Sequence, residues 1–103
     1  KKICTDRPGW MAMALRPNAY KKELRQVKMR DFTNILKVDT ESCTLVAEPF
    51  VTVAQITQKL IPMGFTLPVV PELDDLTVGG LLLGVGIESS SHVFGLFNDT
   101  CLA

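Results

Sequence analysis

Four glycines, Gly79, Gly80, Gly84 and Gly86, fall within eight residues of an otherwise apolar run, Thr77-Val78-Gly79-Gly80-Leu81-Leu82-Leu83-Gly84-Val85-Gly86-Ile87. Neither a long helix nor a regular strand tolerates that density, because each interior glycine costs about 0.5–1 kcal/mol relative to alanine. The chain must turn there. Thr77 reads as the N-cap of a short helix with Gly79 and Gly80 in its first turn, and the three leucines anchor that turn in the core. Gly84 and Gly86 permit positive φ, so the chain reverses and brings Glu88, Ser89, Ser90 and Ser91 back toward the helix start. Two readings of the glycines stand side by side: close packing of a buried helix, or a bare backbone cradle that lets a pyrophosphate approach helix N–H groups.

Known phosphate motifs do not decide between them. Gly84-Val85-Gly86-Ile87-Glu88-Ser89 supplies only two of the three glycines of the dinucleotide fingerprint, without the surrounding strand, helix and acidic partner, and no Gly-Lys-Ser/Thr is present for a P-loop. Glu72, Asp74 and Asp75 precede Thr77, where carboxylates favour a helix N-terminus. No acid/base pair is expected, and no residue is assigned a catalytic role. His92, the single histidine, lies beside Val93 and Phe94 and reads as a hydrogen-bonded structural residue; with no second ligand at a suitable spacing, no metal is expected.

Elsewhere the pattern mixes strands and helices. Lys2-Ile3-Cys4-Thr5 reads as a short buried strand stopped by Asp6-Arg7-Pro8-Gly9. Trp10 to Leu15 is a second apolar segment, broken by Pro17 and Asn18, and Tyr20 to Val27 is a basic surface helix or loop. Residues 35–39 and 44–48 read as a hairpin around Thr40-Glu41-Ser42-Cys43, with Pro49 ending the second strand. Thr52 with Gln55 forms a capping box for an amphipathic helix over 53–63, and Gly64 is its C-cap. Phe65-Thr66-Leu67 is a short strand ended by Pro68, and Thr100 to Ala103 resembles the beginning of another. The fold class is α+β, helices packed on a mixed sheet.

Composition narrows the function. With 47% hydrophobic and 21% charged residues the chain is globular, and its eleven basic and eleven acidic side chains cancel. No net field draws it to nucleic acid or to an anionic membrane. Basic residues nonetheless gather before Asp31, a run read chiefly as a solvated face and secondarily as an anion-binding edge. Cys4, Cys43 and Cys101 are odd in number and lack CxxC spacing, which fits buried thiols in a reducing compartment. Leu76 to Ile87 is too short to span a bilayer, and no signal peptide is visible.

The runs Pro71-Glu72-Leu73-Asp74-Asp75-Leu76-Thr77-Val78-Gly79-Gly80 and Gly84-Val85-Gly86-Ile87-Glu88-Ser89-Ser90-Ser91-His92 resemble the FAD-binding domain of the delta-24 sterol reductases, within the p-cresol methylhydroxylase/vanillyl-alcohol oxidase (PCMH-type) flavoprotein fold. Lys1 to Thr5, Arg7-Pro8-Gly9-Trp10, Ile35 to Asp39 and Val46 to Thr52 extend the likeness over nearly the whole chain. The resemblance implies that residues 1–103 are part of such a domain, truncated at both ends. It places the flavin-binding loop on Thr77, Val78, Gly79, Gly80, Leu81, Leu82, Leu83, Gly84, Val85, Gly86, Ile87, Glu88 and Ser89. Related oxidoreductases put a first phosphate loop at the Thr5–Trp10 turn, which here has one glycine. Some relatives attach FAD covalently through a histidine in that turn, and this chain has none there, so noncovalent FAD is implied. NADPH as reductant, reduction of a sterol side-chain double bond, a sterol-binding domain beyond this chain and an endoplasmic reticulum membrane location of a parent protein follow from the same likeness. The fragment itself is expected to be soluble. Another FAD-linked oxidase or dehydrogenase of the same fold, and a non-catalytic interaction module, are the alternatives.

Overall fold

A computed structural model describes residues 2–9 and 18–103; the segment expected over Trp10 to Leu15 lies outside them. The architecture is α+β, with strands in two separate pairs. Strand β1 (Ile3–Thr5) pairs in parallel with β2 (Arg25–Val27), and β3 (Ile35–Asp39) pairs antiparallel with β4 (Thr44–Ala47). Helices α1 (Val53–Leu60), α2 (Val78–Leu83) and α3 (Ser91–Phe94) follow.

The hairpin forms where the polar loop predicts it. Asp39 Oδ1 accepts the N–H groups of Glu41 and Ser42, both at 3.1 Å, and Cys43 adopts a φ of 52° to close the turn. A register shift between Ile35 and Lys37 leaves Leu36 bulged and exposed. Thr52 and Gln55 form the expected reciprocal capping box on α1, worth about 1 kcal/mol. The helix expected to reach residue 63 tightens at Ile61–Met63 into a 3-10 turn containing Pro62, and Gly64 caps it at a φ of 81°. Proline has no N–H to extend the α-helical ladder.

Two apolar clusters meet across α1. Val51, Ile56 and Leu60 pack under the hairpin with Ile35, Val38 and Leu45, while Val53, Val69, Leu81 and Phe97 form the other cluster. Val51, Val53, Ile56 and Val69 are fully buried, each contributing about 1.5–3 kcal/mol. Leu67 touches both clusters. The strand expected over residues 65–67 is absent: this segment finds no partner strand and instead points Phe65 and Leu67 into the core.

Other expectations are corrected by packing. β1 is not buried, since Ile3 is 67% exposed and the described residues place no layer over this pair. Residues 20–27 are neither a helix nor a loop throughout: the 3-10 segment Asn18–Glu23 leads into β2. Over Thr100 to Ala103 no strand forms: Thr100 ends the 3-10 segment Phe97–Thr100, and residues 101–103 carry no regular structure. The three thiols are free but not buried, with Cys43 exposed and Cys4 and Cys101 half-buried.

Candidate functional site

Thr52 and Thr77, the N-caps of α1 and α2, face each other in an isolated antiparallel bridge. Val53 N–H donates to the Leu76 carbonyl and Val78 N–H to the Val51 carbonyl, both at 2.9 Å. Thr77, only 7% exposed, accepts the Gly80 N–H on Oγ1 at 3.3 Å. The start of α2 is thereby sewn to the start of α1.

That stitching uses the donors expected to form an anion cradle. Besides Val78 and Gly80, Gly79 donates to the Pro49 carbonyl at 2.8 Å. Three consecutive N–H groups at the start of α2 are therefore committed within the protein. The glycines have local reasons: a Cβ on Gly79 would stand 3.1 Å from Pro49 Cβ and O, one on Gly84 2.9 Å from the Gly80 carbonyl, and one on Gly86 2.5 Å from Phe97 Cβ. Of the leucines, only Leu81 is buried; Leu82 is partly exposed and Leu83 is 92% exposed.

The chain reverses after α2 at Gly86, as expected, but with Val85 rather than Gly84 as the other positive-φ residue. Gly84 has a φ of −104°, while Val85 has 76° and Gly86 54°. Gly86 N–H donates to the Gly84 carbonyl at 2.9 Å across Val85, which makes a three-residue turn of the rare positive-φ kind. A β-branched residue held there stores about 1–3 kcal/mol of strain. Phe97 fixes the turn by donating its N–H to the Gly86 carbonyl at 3.1 Å. The N–H groups of Val85 and Ile87 have no acceptor among the described residues.

Beside this turn opens a cleft of about 520 Å³. Thr77, Gly80, Leu81, Gly84, Gly86, Ile87 and Glu88 line one wall. Val78, Gly79, Leu82, Leu83, Val85 and Ser89 do not, Val78 and Leu82 lying instead on a second, more apolar groove under the hairpin. Pro71, Glu72, Asp75 and Arg7 also line the cleft. Glu88 Oε1 accepts the Glu72 N–H at 3.2 Å and ties the walls together.

Of the acids that precede Thr77, two share the cleft with the start of α2. The first turn of α2 holds no acid; Glu72 and Asp75 face the cleft, and the Asp74 carbonyl takes the N–H of Ala54. Arg7, read in the sequence as part of the turn after β1, also lines this cleft. Two of the serines bond elsewhere than the helix start: Ser91 Oγ accepts the Glu88 N–H and Ser90 Oγ donates to the Pro68 carbonyl. His92 Nδ1 lies 2.7 Å from the Ser89 carbonyl oxygen, a structural contact off the cleft. The described residues contain no cluster of three potential metal ligands and no helix long and apolar enough to cross a membrane.

The FAD binding domain family matches residues 17–103, which takes in the hairpin, all three helices and the glycine turn. The chain belongs to that family. Its α+β core of small strand pairs and short helices is accordingly that of a PCMH-type FAD-binding domain. The chain is 52% identical to the Delta(24)-sterol reductase of Homo sapiens over 101 residues, covering 98% of this chain and 19% of that protein. Against the Delta(24)-sterol reductase of Arabidopsis thaliana identity is 48% over 99 residues, 95% of this chain and 18% of the relative. The Delta(24)-sterol reductase homolog of Caenorhabditis elegans is 47% identical over 100 residues, 97% of this chain and 19% of the relative. The chain thus spans about a fifth of the length of these relatives. No solved structure matches it significantly.

Proposed function

We propose that this chain is the FAD-binding segment of a delta-24 sterol reductase, an oxidoreductase in which NADPH supplies the electrons and a sterol side-chain double bond receives them. The observation that carries the reading is the 52% identity over 98% of the chain to a relative of that name. The same name recurs in plants and animals at a similar level, which favours this substrate over another within the fold.

The residues on the cleft suit a dinucleotide. Gly80, Gly84 and Gly86 bring bare backbone to the cleft, so a ligand can lie close to the chain there. Ile87 retains an N–H group for an anionic oxygen, and Glu72 and Asp75 can accept hydrogen bonds from ribityl or ribose hydroxyls. FAD, when bound, supplies the hydride chemistry, while the protein supplies position and electrostatics. His92 is engaged with Ser89 away from the cleft, which favours a noncovalent cofactor. The sterol site, the NADPH contacts and attachment to the endoplasmic reticulum membrane belong to sequence corresponding to the rest of the relatives' length.

Purified full-length protein tests this. The expected result is a visible flavin spectrum, equimolar FAD released on denaturation, and NADPH consumption that depends on a sterol carrying a side-chain double bond at C24. Colourless protein, or flavin without sterol-dependent turnover, would contradict it.

A further inference from the structure

Val85 stands in the turn after α2 at a φ of 76°, a region that a β-branched side chain makes costly. One hydrogen bond compensates, from the Gly86 N–H to the Gly84 carbonyl at 2.9 Å. Both neighbours are glycines, so no adjacent side chain locks the turn in this form. The flanks, by contrast, are anchored: Gly84 N–H donates to the Gly80 carbonyl at 2.8 Å, and the Gly86 carbonyl accepts the Phe97 N–H at 3.1 Å. Neither anchor belongs to the Gly84–Val85 peptide, whose own Val85 N–H has no acceptor among the described residues.

That peptide can turn over without disturbing either anchor. A half-turn of it changes only ψ of Gly84 and φ of Val85: the glycine takes either value without steric cost, and the valine moves into the ordinary negative-φ region. The rotation gives up the bond between Gly84 and Gly86 and relieves the strain at Val85, two contributions of similar size. The turn therefore has two discrete arrangements of comparable free energy. Turning over also frees the Gly86 N–H, and Gly86 lines the cleft. In the present arrangement the Gly84 carbonyl covers that donor; in the other the donor is open to a ligand.

We propose that the Gly84–Val85 peptide is a two-position switch that turns over when FAD enters the cleft, replacing the Gly84 carbonyl at the Gly86 N–H with an acceptor atom of the cofactor. The inference rests on the cofactor reading above. Glu72, Asp75 and Glu88 on the same lining oppose an anion, so the acceptor is an uncharged carbonyl or ring nitrogen of FAD rather than its pyrophosphate. The strain at Val85 acts on affinity: it raises the empty form relative to the loaded one, and a ligand shifts the turn only by such a difference.

Titration of the full-length apoprotein with FAD tests the switch through affinity rather than turnover. Val85→Gly and Val85→Ala both remove the isopropyl group, which does not line the cleft, but only glycine abolishes the penalty for positive φ. Val85→Gly is expected to lose about 5- to 30-fold in FAD affinity, whereas Val85→Ala stays within about threefold of wild type. Crystal structures of the wild type without and with FAD are expected to show Val85 at positive and negative φ respectively, with the Gly86 N–H on the cofactor in the second. Unchanged affinity in Val85→Gly, an equal loss in Val85→Ala, or a positive φ in both structures overturns the switch while leaving the cofactor reading intact. A phosphate oxygen at the Gly86 N–H overturns the assignment of an uncharged acceptor, and wild-type protein that binds no FAD overturns the switch and the cofactor reading together.

Discussion

Gly79 donates its N–H to the Pro49 carbonyl at 2.8 Å, and a Cβ in its place would stand 3.1 Å from Pro49 Cβ and O. The glycine lets the first turn of α2 press against the backbone that follows β4, and this contact offsets the roughly 1 kcal/mol that glycine costs in a helix. Gly80 differs: its Cβ would meet only Thr77 Oγ1, at 3.1 Å, and it lines the cleft. Gly79→Val should therefore destabilise the protein by about 1–3 kcal/mol through overpacking. Gly80→Val should lower FAD content more than it lowers stability. Urea denaturation and flavin content measured on both variants check the contrast, and a reversed order would contradict it.

The positive-φ turn gives a second contrast between neighbours. Val85 is half-exposed at a φ of 76°, whereas Gly86 is at 54° with Phe97 Cβ where its own Cβ would be. Val85→Gly should stabilise by about 1 kcal/mol, as released strain exceeds the added chain entropy. Gly86→Ala should destabilise by about 2–4 kcal/mol, combining a left-handed alanine with a clash. Thermal unfolding of the two variants in opposite directions is the expected outcome.

These turns also mark where sequence reasoning reaches its limit. The hairpin, the capping box on α1, the glycine cap at Gly64 and the Thr77 cap were legible because each depends on residues within a few positions of one another. Expectations failed where a distant contact chose the outcome. The Pro49–Gly79 contact joins residues thirty positions apart and consumes a donor that local pattern left free for an anion. Val85 takes a conformation that its own side chain disfavours because Phe97 holds Gly86. Arg7 follows β1, whose pairing with β2 joins segments some twenty residues apart that no periodicity announces. The likeness to a flavoprotein domain was carried by contiguous runs, so it was legible although the geometry of the cleft was not.

Asp39 provides a pH-dependent contribution to the hairpin. Hydrogen bonding from the Ser42 backbone, then from Lys37, holds its carboxyl below the usual 3.8. A depressed folded value means the ionised form is stabilising: the contribution is present above the unfolded value of 3.8 and fades as pH falls through the lower folded value. Wild type should therefore exceed Asp39→Ala in stability near neutrality, and the gap should close below pH 3.8. Stability measured against pH for both proteins checks this, and a gap that persists in acid would assign the effect of the substitution to packing.

The cofactor is expected to leave on denaturation. His92, the single histidine, is held at the Ser89 carbonyl and does not line the cleft. Acid precipitation of the full-length protein should release all flavin to the supernatant. A yellow pellet would demonstrate a covalent bond and so a different geometry around the flavin.

Residues 1–103 taken alone should bind FAD weakly. The first N–H groups of α2 are spent within the protein, which leaves few cleft donors, the Ile87 amide among them, for a pyrophosphate. Charge-assisted hydrogen bonds contribute about 1.5–3 kcal/mol each, association costs at least about 4 kcal/mol, and the acidic lining opposes the phosphates. The chain also spans only about a fifth of its relatives' length. The expected dissociation constant is on the order of millimolar or weaker, with no NADPH-driven sterol reduction. Calorimetric titration of the isolated chain with FAD decides the matter: micromolar affinity would mean that the cleft beside Gly80 and Gly86 is a complete binding site and that the acids on its wall do not oppose the pyrophosphate.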